Sequence, residues 1–171
     1  MLIDRILRAA RLDAALYEEV EADTGALGQA TAVVVLSSVA AGIGAIGVGG
    51  IRGLGMGTML ALLGWYVWAV VTWLIGTRVL PEPQTRADLG ELLRTIGFAS
   101  APGLIRVFCV ITPIANIVGL VALIWTLAAM VVAVRQALDY RSTPRAIAVC
   151  VIGLVAQTPL WALILWPVRA L

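Results

Sequence analysis

The chain has 171 residues, 61% of them hydrophobic and 13% charged, with a net charge of +2 at pH 7. A soluble globular domain is roughly 45–50% apolar and about 25% charged, so most soluble folds are excluded. The small net charge offers nucleic acid no basic surface, and the absence of histidine removes the commonest general base and metal ligand.

Residues 1–20 read as an amphipathic helix, within a cytoplasmic segment 1–24. Leu2, Ile3, Ile6, Leu7, Ala10, Ala14 and Tyr17 recur at three- and four-residue steps, with Arg5, Arg8 and Arg11 between them. Such a helix either lies in the membrane interface or packs on the protein's own membrane domain. It is not a secretory leader, because Asp4 interrupts the basic start and no apolar core follows.

Long apolar runs then begin. A spanning helix needs ~20 apolar residues, because the hydrocarbon core is ~30 Å thick. Five such runs are expected, at about 30–49, 56–76, 92–111, 113–138 and 146–168. They do not alternate in polarity, which argues against a β-barrel. The fold class is therefore all-α, a bundle of five transmembrane helices with a cytoplasmic amphipathic helix before it.

The first run is rich in small residues. Ser38 with Gly42 and Ala41 with Ala45 are pairs at four-residue spacing that let helix backbones approach closely. This face should pack inside the bundle or against another copy. Gly50, Arg52, Gly53 and Gly55 suggest a turn before the second run. Thr85 is placed as a helix cap, with Asp88 completing a box-like pattern. Pro102 and Gly103 break the third run. Thr112-Pro113 and Thr143-Pro144 look like helix starts. Cys109 and Cys150 lie in apolar runs and read as small buried residues rather than a disulfide.

Orientation follows from arginine placement. With the N-terminus inside and five spans, Arg5, Arg8, Arg11, Arg78, Arg86, Arg94, Arg135, Arg141 and Arg145 fall on the cytoplasmic side, against Arg52 and Arg169 outside. All ten acidic residues fall inside as well. Arginine is the only basic residue in the chain, which fits a GC-rich prokaryotic genome. The expected location is a prokaryotic cytoplasmic membrane.

Several short stretches then align with a known pattern. They are Gly64-Trp65-Tyr66, the run from Leu92 to Ala99, Ala101-Pro102-Gly103-Leu104 and Ile124-Trp125. The most specific is Phe98-Ala99-x-Ala101-Pro102-Gly103. On these residues the chain resembles the Yip family, membrane proteins named in eukaryotes for interaction with Rab GTPases. The resemblance covers nearly the whole chain. It implies a multi-pass membrane protein linked to vesicle traffic or membrane organisation.

The candidate site residues are few. Arg106 lies within an apolar run, where a charge costs roughly 2.5–3.5 kcal/mol on insertion scales. It either forms a polar site for a lipid phosphate or anion, or snorkels to headgroups at the inner interface. Pro102 and Gly103 resemble the broken helices of transporter sites. Gln157 could bond Arg106 or backbone freed by Pro159. Trp65 and Trp125 sit deep in their spans, as core residues or as walls for a pigment, quinone or lipid tail. No catalytic, cofactor-binding or metal-ligating constellation appears, so no enzyme and no cofactor are expected. Ser38, Ala41, Gly42 and Ala45 form the expected packing face.

The sequence therefore predicts a non-enzymatic scaffold that organises membrane or binds another membrane protein or itself. Two alternatives stand beside it. One is a lipid- or anion-handling channel or transporter centred on Arg106 and the Pro102-Gly103 break. The other is an accessory subunit of a larger membrane complex. The expected partners are membrane lipids, another membrane protein or a second copy.

Overall fold

The computed structural model describes the backbone of residues 1–44 and 46–169, and the side chains of 1–44, 54–111 and 113–159. Among the described residues every regular element is helical. The order is α1 (Leu2–Ala10), α2 (Ala14–Ala22), α3 (Leu27–Gly44), α4 (Ile46–Leu74), α5 (Leu89–Phe98), α6 (Ala115–Ala137) and α7 (Thr143–Arg169). A 3-10 helix at Ala101–Val110 continues α5, and a π-turn at Ile75–Val79 continues α4. Four segments are long and apolar enough to cross a membrane: Thr24–Gly44, Leu54–Val79, Leu89–Val110 and Ala115–Ala137.

The N-terminal segment is two helices, not the one expected. α1 ends at Ala10, and Leu12 turns the chain with φ of 61°. Asp13 then caps α2, its side chain accepting from the Ala15 N–H at 3.0 Å. Ion pairs knit the hairpin together. Arg8 donates to Asp13 and Glu19, while Arg5 donates to Glu19, Asp23 and Gln29 at the start of α3.

The hairpin packs on the bundle. Leu16, Tyr17 and Val20 are fully buried beside Phe98, Ala129 and Ala133. The Trp125 indole N–H donates to the Ala10 carbonyl at 2.7 Å, closing the end of α1. Buried Arg94 donates to the Val20 carbonyl at 3.0 Å and to the Glu21 carbonyl. A cation is thus placed at the C-terminus of α2, where its partial negative charge favours one. The opposite side of α1 keeps Ile3 and Leu7 exposed.

Close contacts give the helix directions. A methyl on Gly97 would lie 2.7 Å from the Ala30 methyl. One on Gly103 would strike Ser37, and one on Gly44 would strike the Arg106 carbonyl. Ascending residues of α3 therefore meet ascending residues of α5 and its 3-10 extension, so the two run parallel. α4 opposes α7, since Gly64 meets Gln157 and Trp68 meets Gly153. Tyr140 donates to the Gly76 and Leu80 carbonyls at 3.0 and 2.7 Å, joining the ends of α4 and α6. The segments after α4 and after α6 thus share one end of the bundle with the N-terminal hairpin. We call this the near end. Gly44 and residues 110–114 mark the far end.

Two local expectations change. The turn expected at residues 50–55 lies inside α4. A backbone in lipid must satisfy its own hydrogen bonds, which outweighs the helix-breaking tendency of glycine there. At α5 the N-cap is Asp88, not Thr85. Asp88 accepts from the Glu91 N–H and Glu91 returns a bond to the Asp88 N–H, a full capping box. Thr85 instead accepts from the Glu82 N–H.

Candidate intramembrane cavity

α3, α4, the 3-10 helix, α6 and α7 leave a cavity of about 560 Å³ between them. Its walls are mostly apolar. Small residues make room for it. Ser38, Ala41 and Gly42 on α3 face Gly57, Ala61 and Gly64 on α4. The small-residue face read from the sequence therefore turns inward, and Gly42 meets Leu54 of the same chain. Ala45 lies outside the described residues.

Arg106 reaches this cavity because of local geometry. In a 3-10 helix residues three apart eclipse one another. Ser100, Gly103 and Arg106 therefore stack on one face, and the first and last line the cavity. Gly103 sits between them against Ser37 and Thr126, where any side chain would collide with Ser37. Pro102 is buried at the start of the segment and holds no place in the wall. A 3-10 run of ten residues is long, since most end after three or four.

The structure places Arg106 deeper in the chain's path than expected. α5 holds ten residues, so the break comes ~15 Å beyond the near end. Arg106 is then four residues before Val110, or ~8 Å from the far end at ~2.0 Å per residue. Arg106 therefore lies closer to the far end of this segment than to its near end. Among the described residues its guanidinium has no hydrogen bond and no ion pair.

Gln157 enters the same cavity from α7 but does not meet Arg106. Its amide donates to the Gly64 carbonyl at 3.5 Å, a long and weak bond. Arg106 and Gln157 are thus brought together in one cavity, while Pro102 and Gly103 lie behind its wall.

Two residues missed in the sequence add polar groups to the wall. Trp68 is 7% exposed and its indole N–H has no acceptor among the described residues. The Thr126 hydroxyl oxygen is buried within a half-buried residue and has no partner among the described residues. Both line the cavity. Buried polar groups are nearly always bonded, so each exception needs an explanation. Thr126 left a visible signal, being a hydroxyl inside an apolar run. Trp68 left none that separates it from Trp65, whose N–H is bonded to the Leu93 carbonyl at 3.1 Å.

On the α6 and α7 side the cavity is walled by Leu123, Leu127 and Leu154, which are 48%, 37% and 44% exposed. The same leucines that line the cavity therefore face outward from the bundle.

A helical bundle with spanning apolar segments and an inward cavity defines a multi-pass membrane protein. The family model of the Yip1 domain matches residues 13–164. The chain belongs to the Yip family. No curated protein and no solved structure matches it.

Proposed function

We propose that this Yip-family protein is a non-enzymatic membrane protein that holds a membrane amphiphile in the cavity between α3, α4, α6 and α7. One observation carries the reading. A mostly apolar cavity of about 560 Å³ contains Arg106, Trp68 and Thr126 with unused hydrogen-bonding capacity. Ligand cavities of ~300–1,000 Å³ with apolar walls and a few placed polar groups are the usual form of a small-molecule site.

The reading includes a topology. α3, α4, α5 with its extension, α6 and α7 alternate in direction, which supports five passes. The arginine distribution supports a cytoplasmic N-terminus, in the cytoplasmic membrane of a prokaryote. Exposed Ile3 and Leu7 on α1, beside Arg11, suit contact with the cytoplasmic headgroups.

A lipid carrying a photoactivatable group on its chain tests the assignment. Crosslinks are expected on cavity residues such as Trp65, Thr126 and Leu127. Crosslinks confined to outward residues such as Ile117 and Leu120 would refute it.

Scaffolding of membrane through another membrane protein, or through self-association, is the second reading. Gly119 on α6 favours it, being open to close approach among exposed Ile117, Leu120 and Val121. A role as an accessory subunit would use the same face.

A further inference from the structure

We infer that the cavity selects an anionic amphiphile, with its acidic headgroup on Arg106 and its apolar chain running inward past Leu127 and Trp65. This rests on the cavity reading above and adds the chemistry of the ligand.

Arg106 brings a planar, delocalised guanidinium cation into this part of the bundle. It lines a mostly apolar cavity and has no anion among the described residues. A guanidinium in such a place calls for a counter-charge, and its planar fork matches the paired oxygens of a phosphate or carboxylate.

Position agrees with charge. Arg106 lies ~8 Å from the far end, within reach of the headgroup layer by its own side chain. The Thr126 hydroxyl is beside Gly103, one 3-10 turn (~6 Å) further in. A phospholipid with its phosphate on Arg106 brings its glycerol ester oxygens to about that depth. Trp68 offers a second unpaired donor deeper still. The leucines shared between cavity and outer surface give an apolar chain a sideways route that never crosses water.

Phosphate and carboxylate amphiphiles share this chemistry, so the test separates them. The full-length purified protein is equilibrated with phosphatidylglycerol, with phosphatidylcholine or with oleate, and bound molecules are counted by native mass spectrometry. Phosphatidylglycerol is expected to be retained at one per chain and at least about tenfold more tightly than phosphatidylcholine, as a charge-assisted pair requires. Arg106→Gln should remove that preference and Arg106→Lys should keep most of it. Oleate displacing phosphatidylglycerol at lower concentration assigns the site to a free acid; the reverse assigns it to a phospholipid. Equal retention of both phospholipids by the unaltered protein, or an unchanged preference in Arg106→Gln, overturns the headgroup assignment and leaves the cavity reading standing. Retention of no lipid at all overturns both. A thermal melt of each variant, followed through the buried Cys150 thiol, shows that the fold is intact.

Discussion

Gly97→Ala is the sharpest test of the seam between α3 and α5. The added methyl would sit 2.7 Å from the Ala30 methyl and 3.2 Å from its Cα and carbonyl carbon. Ordinary contact begins at 3.4 Å, so the helices must part by 0.7 Å (3.4 minus 2.7) at this level. Two of the three contacts are to backbone, which cannot swing away as a side chain can. Overpacking costs about 1–3 kcal/mol, and this site belongs in the upper half of that range. For a chain of this size the melting midpoint should fall by about 4–12 °C. Cys150 is 5% exposed, so its reaction with a fluorogenic maleimide on heating reports unfolding. Adding Ala30→Gly removes the opposing methyl and should restore most of the loss, less ~1 kcal/mol for a helical glycine. A midpoint unchanged by Gly97→Ala, or not recovered in the double variant, would refute the parallel packing of α3 and α5.

Three further outcomes follow from the near end. Arg94→Met removes two charge-assisted bonds to the end of α2, each worth about 1.5–3 kcal/mol. Hydrogen exchange in residues 1–23 should accelerate while α6 stays protected; equal protection of both would count against the staple. Burial pushes the Glu21 carboxyl up to about 7, with Asp139, Glu91 and Glu18 adding to the rise and Arg94 opposing it. The folded state therefore holds this proton more tightly than the unfolded chain, and hairpin docking should weaken as pH rises from about 4.5 to 7. Glu21→Gln should flatten that exchange profile, and a profile of unchanged slope would assign the dependence elsewhere. Asp88→Ala breaks the capping box and should cost about 1 kcal/mol in the same thiol melt; no shift would mean the cap is redundant.

The long apolar runs were legible because lipid leaves the backbone one choice in each. Family membership was legible too, through Phe98-Ala99 and Ala101-Pro102-Gly103. The cavity was legible only in pieces. Ser38, Ala41 and Gly42 stood out as a small-residue face, and Arg106 and Gln157 as a polar pair, in separate apolar runs. Nothing in their spacing showed that the small-residue face and the polar pair border one cavity. The depth of Arg106 was not legible, because it depends on how many helical residues precede the break, and the ten of α5 carry it toward the far end. The split at Leu12 was hidden for a related reason. The apolar spacing continues smoothly across it, and only the Asp13 cap marks the second start. Arg94 passed as one more cytoplasmic charge. Its role as a buried clasp depends on carbonyls 73 and 74 residues away in sequence.

The most direct test is the intact mass of the chain after gentle extraction from its own membrane. The account predicts a chain that carries a stoichiometric lipid enriched in anionic species, an enrichment lost when Arg106 is replaced by Gln. A chain that emerges free of lipid, or with a protein in the place of one, would contradict it.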